Sequence, residues 1–399
     1  MGFEEMWAAL RPVGRDAETG GYHRFAWTPA EVECRSWFAD EARRRDLEIE
    51  TDRNGNLFAW WFPPGNGRGD AVVTGSHLDS VPGGGAFDGP LGIVSAFAAI
   101  DLLRERGVRP SRPIGVAAFA EEEGARFGVA CLGSRLLTGA IAPYRARALR
   151  DRDGRTLADV LTGHGLDPER IGPDEDLLSR IGCYVELHVE QGRALDVPVG
   201  VASAIVPHGR WRFDLAGEGN HAGTTHLKDR RDPMLPFAEL VLAAREAAER
   251  NGTLATVGRV EVAPNGVNAV PSAVTAWLDG RGPADEAVRR TVAEVREAAR
   301  RAARAHGVAV EVAEESYTEV VDFDVPLRDR LAAVLGGVPV LPTGAGHDAG
   351  ILASRLPTAM LFVRNPTGIS HAPEEHADLE DCLAGVEALT TVLKALAGG

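Results

Sequence analysis

Over its first half the chain reads as short continuous apolar runs separated by stretches with helical spacing. The runs "LFAWW" (57–61), "DAVVTGSH" (70–77), "RPIGVAAFA" (112–120) and "GCYVELHV" (182–189) are bounded by turn residues or polar clusters. Runs of this length and composition predict strands buried on both faces. Between them, "PAEVECRSWFADEARRR" repeats its apolar positions at helical spacing, with Thr28 as N-cap and Pro29 at the first helical position. "LGIVSAFAAIDLLRER" predicts a second helix with an apolar face, and "RNGN" (53–56) a turn. Strand, helix and strand in succession imply an α/β fold with a mainly parallel, doubly wound sheet. Polar clusters follow the C-terminal ends of these strands, the edge at which open α/β sheets bind ligands.

Near residue 209 the period changes. "RWRFDLAGEG" alternates like a half-exposed strand, and "PMLPFAELVLAAREAAERNG" is a helix stopping at Asn251–Gly252. "LATVGRVEVAP" and "PSAVTAWLDGR" are strands, "DEAVRRTVAEVREAARRAARAHG" a long amphipathic helix with a solvated Ala/Arg-rich face, and "VAVEVAEESYTEV" a last strand. The order β-α-β-β-α-β is the ferredoxin-like motif. The α/β pattern resumes after 324 with "VPVLPTGAGHDAGILASRL", "TAMLFV" and "LEDCLAGVEALTTVLKAL". The expected organisation is one discontinuous α/β domain, residues 1–208 and 325–399, interrupted by a ferredoxin-like α+β domain over 209–324.

A length of 399 residues agrees with two domains. The 44% hydrophobic and 25% charged content is that of a soluble globular protein. The formal charge of −15 argues against a nucleic-acid partner, which needs a basic surface. No run approaches the roughly 20 apolar residues of a membrane span, and the start "MGFEEMWAAL" lacks a signal-peptide pattern. Cys34, Cys131, Cys183 and Cys382 are scattered without CxxC spacing, as expected of reduced thiols in a cytoplasmic protein.

Taken singly, the polar residues at the strand ends have ordinary structural explanations. His77 and Asp79 share one side of a strand end, Asp88 could cap a helix, and Glu121–Glu123 could be a solvated charge run. Glu186, His188 and Glu190 alternate on one strand face, and His371 lies in a turn-rich loop. Taken together, His77, Asp88, Glu123, His188 and His371 supply nitrogen and oxygen donors for two divalent ions. One carboxylate must then bridge, because paired ions sit about 3.5–4 Å apart. Glu122 is left over as a base, and Asp79 to orient the His77 ring. Mixed N/O donors suit Zn, Mn, Co or Ni.

Seven segments extend this reading: "GSHLDSVPGGGAFDGPLG", "EEEGARF", "ELHVEQG", "GEGNHAGTT", "PNGVNAVPS", "GAGHDA" and "GISHAPEEH". In their order and wording the chain resembles the M20 family of dinuclear metallohydrolases. Its short "HLDSVPGGGAFDG" linker and "HVEQG" are similar to the branch with N-carbamoyl-L-amino acid hydrolases, allantoate amidohydrolases and β-ureidopropionases. The resemblance implies that His77 and His188 bind one ion, Glu123 and His371 the other, with Asp88 bridging and Glu122 as general base. It further implies that Asn268 and Arg281 hold a substrate carboxylate and neighbouring polar groups. Gln191, His221, Gly346 and His347 complete the pocket, with His221 stabilising the oxyanion. The inserted domain would serve as lid and homodimer platform. The chain departs from the family at His226, where proline commonly follows "AGTT", and in the charged "HLKDRRDP". The implied reaction is hydrolysis of the ureido bond of a small anionic substrate, allantoate or an N-carbamoyl-L-amino acid. The alternatives are an aminoacylase or dipeptidase of the same family, and a metal-bound protein without catalysis.

Overall fold

The computed structural model describes residues 2–65 and 67–398. Its first strands are β1 (Glu48–Thr51), β2 (Leu57–Trp61), β3 (Ala71–His77), β4 (Ile114–Phe119), β5 (Ile181–Val189) and β6 (Val199–Ile205). There follow β7 (His208–Ala216), β8 (Asn220–His221), β9 (Leu254–Ala263), β10 (Ala269–Val270), β11 (Ala273–Arg281), β12 (Ala309–Thr318) and β13 (Val321–Asp322). The chain ends with β14 (Val340–Thr343) and β15 (Thr358–Val363). It divides into two compact units, one formed by residues 1–205 and 322–399 and the other by Val206–Val321.

In the first unit the sheet runs β1-β2-β4-β3-β5-β15-β6, with β14 also on β6. Its centre, β4-β3-β5-β15, is parallel. The flanking pairs β1–β2, β2–β4 and β15–β6 are antiparallel. Every residue of β3, β4 and β15 is buried, as expected of strands covered on both faces. The helix Pro90–Glu105 covers one face beside Leu379–Ala397, and most of its residues are buried. This is why its apolar pattern wraps round the helix rather than keeping to one stripe. The helix Pro29–Arg44 starts where expected, but the Thr28 hydroxyl donates to the Phe25 carbonyl instead of capping it. Between β4 and β5 lie short helices that periodicity did not single out, at Leu132–Thr138, Pro143–Arg147, Leu157–Gly163 and Glu175–Arg180. Trp27, Phe127, Leu136, Leu157 and Leu161 form a separate core there.

The second unit has the antiparallel sheet order β12-β7-β11-β9. Numbering its long strands one to four along the chain, this is 4-1-3-2, the ferredoxin-like arrangement. Burial alternates strictly along β7 and β11. Their inward residues Trp211, Phe213 and Leu278 pack on Leu240 and Ala244 of the helix Met234–Asn251 and on Val288, Val292 and Val295 of the helix Asp285–Ala305. The four cysteines are free and buried. No described helix is long and apolar enough to cross a membrane.

Candidate active site

Because β3, β4 and β5 are parallel, their C-terminal ends share one sheet edge. His77 is the last residue of β3 and pairs in register with Phe119 of β4. His188 stands one residue from the end of β5, opposite Phe362 of β15. Glu121, Glu122 and Glu123 follow β4, and Asp88 lies in the glycine-rich loop between β3 and the helix at Pro90. The loop passes close beneath His77. A Cβ on Gly89, whose φ is +85°, would lie 2.5 Å from the His77 ring.

Asp88 is the hub. Its Oδ1 faces His77 Nε2 at 3.4 Å and His188 Nε2 at 3.2 Å. Its Oδ2 faces His371 Nε2 at 3.4 Å, and Glu123 Oε2 is 3.7 Å from the same His371 nitrogen. Among the described residues the donors form His77–Asp88–His188 and Asp88–Glu123–His371, which share only Asp88, and a third group, Glu186–His188–His347, that shares His188 with the first. These separations are too long for charge-assisted hydrogen bonds, which run about 2.7–2.9 Å. They match donors that share one ion: at about 2.0–2.2 Å from a tetrahedral centre, two donors stand roughly 3.3–3.6 Å apart. The histidine rings are set for the same purpose. His77 Nδ1 is 3.1 Å from the Asp79 carbonyl and His188 Nδ1 is 2.8 Å from the Val189 carbonyl. Each Nδ1 thus carries a proton, and Nε2 is the ring nitrogen turned toward Asp88. His188 Nε2, buried, has no hydrogen-bond partner among the described residues. The residues present therefore fit divalent metal ions.

The electrostatics point the same way. Burial disfavours the His77 cation, but Glu122, Asp79 and Asp88 outweigh it and hold its pKa well above the ordinary range. Burial likewise works against the Asp88 anion and is overcome by His188, His371 and His77, so its pKa falls well below normal. The half-exposed His371 is raised to about 9, mainly by Asp88. Burial pushes Glu122 well above the ordinary carboxylate range and pushes Glu121 and Glu123 to about 8. Such a crowd of acids is a site short of positive charge.

The expected site residues of the first unit thus come together, and their supports are specific. The Asp79 carboxylate accepts the backbone N–H of Glu122 at 3.2 Å and of Glu123 at 3.1 Å. It is the Asp79 carbonyl, not its carboxylate (3.6 Å), that lies at hydrogen-bond distance from His77. Glu122 Oε2 is 3.8 Å from His77 Nε2, and its Oε1 accepts from the Cys131 thiol at 3.2 Å. Gln191 Nε2 donates to Asp88 Oδ2 at 2.7 Å, so this residue touches the bridging carboxylate. His347 is buried with its ring 4.6 Å from that of His188. Its Nε2 has no partner among the described residues, and burial and His188 depress its pKa well below normal. Gly346 precedes it, with open space where a side chain would be.

In the second unit, His221 and Asn268 are neighbours. His221 pairs with Ala269 across β8 and β10, and Ala222 N–H donates to the Asn268 carbonyl. The exposed His221 accepts the Gly223 N–H on Nδ1 at 3.0 Å. The charged segment braces this loop, since the Arg230 guanidinium donates to the Ala222 and Thr225 carbonyls. Arg281, at the end of β11, holds Asp279 with Nε at 2.7 Å and Nη2 at 3.2 Å.

Sequence reasoning gave no role to Glu186, Asp348 and Glu375, although Glu186 stood out by its alternation with His188 and Glu190. Glu186 accepts from the Ser76 hydroxyl and the Ala349 N–H. Asp348 accepts from the Ser134 hydroxyl. Glu375 accepts the N–H groups of Phe87 and Asp88. Their partners lie 110 and 163, 214, and 287 and 288 residues away along the chain, so no local pattern could signal these bonds.

The profile of peptidase family M20/M25/M40 matches residues 73–395. The chain is 36% identical to the N-carbamoyl-L-amino acid amidohydrolase of Geobacillus stearothermophilus, over 99% of both chains. It is 34% identical to the allantoate amidohydrolase of Escherichia coli K12, over 99% of this chain and 97% of that one. A solved amidase of the hydantoinase/carbamoylase family from Burkholderia vietnamiensis superposes with a TM-score of 0.88 at 28% identity, over 100% of this chain and 98% of that one. The chain belongs to the M20 family, in the branch of metal-dependent amidohydrolases that act on linear amides.

Proposed function

We propose that the protein hydrolyses the ureido C–N bond of allantoate or an N-carbamoyl-L-amino acid. One observation carries the reading: the two oxygens of Asp88 divide between two donor groups, with a spare carboxylate, Glu122, beside them. His77 and His188 would hold one divalent ion, Glu123 and His371 a second, and Asp88 both. Zn, Mn, Co and Ni all suit this donor set. Such ions supply Lewis acidity that polarises a carbonyl and acidifies water. Glu122 then takes a proton from the attacking water and delivers it to the leaving nitrogen. The balance is R–NH–CO–NH2 plus water giving R–NH2, CO2 and ammonia. Asp79 fixes the backbone of Glu122, so the base keeps its position while it changes charge.

The second unit supplies recognition. Arg281 presents a planar guanidinium to the substrate carboxylate, and Asn268 an amide to its polar groups. His221 donates to the oxyanion of the tetrahedral intermediate, a role worth about 2.7–4 kcal/mol. We further propose a homodimer joined through the inserted unit, with His221 reaching the partner's site, in the cytoplasm, where the four thiols stay reduced. The test is ammonia release from a panel of ureido acids, against cleavage of N-acyl amino acids and dipeptides. Turnover of the N-acyl compounds without ammonia release from any ureido acid would overturn the reading.

A further inference from the structure

Two metal-ligand loops that are remote in sequence meet at one side chain the mechanism does not use. Glu375 lies four residues after His371. Its Oε1 accepts the Asp88 N–H at 2.9 Å and the Phe87 N–H at 3.0 Å. No other acceptor for these two N–H groups is found among the described residues. The carboxylate is buried, and its second oxygen has no partner among the described residues. The loop is shaped to admit it: a Cβ on Gly85 would lie 2.4 Å from both Cβ and Oε1 of Glu375. At the other end, Glu375 N–H donates to the Ala372 carbonyl, and His371 holds a left-handed backbone at φ +57°. One carboxylate oxygen therefore ties the backbone of the bridging ligand to the loop that carries His371.

We propose that Glu375 is a positioning residue that fixes the Asp88 loop against the His371 loop, so that Asp88 divides its oxygens between the two donor groups. This rests on the metal-centre reading above but not on the choice of substrate. An acceptor is what the site requires. A glutamine retains a carbonyl oxygen at the same place, whereas an alanine leaves two N–H groups without a partner.

The experiment is titration of metal-stripped protein with Zn2+ in competition with a chromophoric chelator, together with the bound zinc per chain after gel filtration. Glu375→Ala should weaken zinc binding about 10- to 100-fold, the usual effect of removing a group that orients a ligand. Glu375→Gln should stay within about threefold of wild type. Gly85→Ala, which retains Glu375 but drives a methyl group into it, should weaken binding as Glu375→Ala does, and it serves if that variant does not fold. Wild-type affinity in both Glu375→Ala and Gly85→Ala overturns the proposal. So does an equal loss in Glu375→Gln and Glu375→Ala, which would show that charge and not the two N–H contacts matters. If wild type bound no zinc, the metal-centre reading would fall with it, whereas a failed ureido assay leaves the clamp standing.

Discussion

Gly89 is the position where one methyl group should undo the metal centre. It holds φ +85° and ψ −63°, a tight-turn conformation that L residues adopt at a cost of about 1–3 kcal/mol. The added Cβ would sit 2.5 Å from His77 Cε1 and Nδ1 and 2.7 Å from Nε2. Ordinary contact begins near 3.4 Å, so ring or loop must yield by about 0.9 Å (3.4 less 2.5). Overpacking of this kind costs about 1–3 kcal/mol more. Gly89→Ala should therefore lose about 2–6 kcal/mol of stability. If the ring moves, the displacement is several times the ~0.2 Å tolerance of a metal–ligand distance. Zinc affinity should then drop about 10- to 100-fold. Gly83→Ala is the control: φ is +71° there, but nothing lies within 4 Å of the added Cβ. Chelator competition and thermal melts on both variants separate clash from backbone strain. Wild-type zinc affinity and stability in Gly89→Ala, or equal losses in Gly83→Ala, would refute the reasoning.

Glu122→Gln should keep its metal and lose about 10²- to 10⁴-fold in kcat, as expected for a general base, whereas Glu123→Gln should lower the metal content; elemental analysis and turnover of the two together tell base from ligand. Arg281→Lys should lose about 10- to 100-fold in kcat/KM on carboxylate substrates, because an ammonium cannot reproduce a two-point contact; an equal loss on substrates without a carboxylate would count against the clamp. Equal mixing of inactive Glu122→Gln and inactive His221→Ala proteins should restore about a quarter of wild-type activity if sites are shared, since half the dimers are mixed and each has one working site. No recovery in mixtures shown by mass to contain heterodimers would place His221 in its own subunit's site or outside catalysis.

The sheet was legible because its central strands are buried on both faces, and a run such as "AVVTGSH" has no other economical reading. The inserted unit was legible because β7 and β11 alternate so strictly. The short helices over 132–180 were not, since five to seven residues give too little periodicity to stand out. The candidate ligands could be proposed from residue type at the strand ends and in the loops that follow them, because parallel strands deliver those ends to one edge. What could not be read is how the ligands are held. Asp79 acts on the Glu122 and Glu123 backbone as well as standing beside His77. Gln191 turns to Asp88, and Glu375 supports a loop almost three hundred residues away. Each is a long-range hydrogen bond that only the folded topology specifies.

The acids of the centre make metal dependence and pH dependence a single property. Asp79, Asp88, Glu121, Glu122, Glu186 and Asp348 are all buried, and among the described residues the cationic partners of Asp88, Glu122 and Glu123 are histidines. Burial raises Glu121 and Glu123 to about 8, so in metal-free protein each binds its proton more tightly folded than unfolded. For such a group a penalty sets in as pH climbs above the unfolded value near 4.5 and is complete once pH passes the folded value. His371 adds the same sign: the stability from its raised pKa is whole below about 6.5 and is lost as pH rises through about 9. Asp88, depressed well below normal, contributes the opposite slope in acid, and the buried His347, also depressed, contributes it below about 6.5. Metal-free protein should therefore melt at steadily lower temperature from about pH 6.5 to pH 9. Bound cations reverse the local logic by stabilising the ionised carboxylates. Metal-loaded protein should show a much flatter profile, because the cations offset the burial that raises the Glu122 pKa. Thermal melts across that range, with and without chelator, measure the difference. A metal-free melting temperature that stayed level or rose with pH would mean that these acids are already neutralised by the fold itself, and the electrostatic case for the two ions would fail.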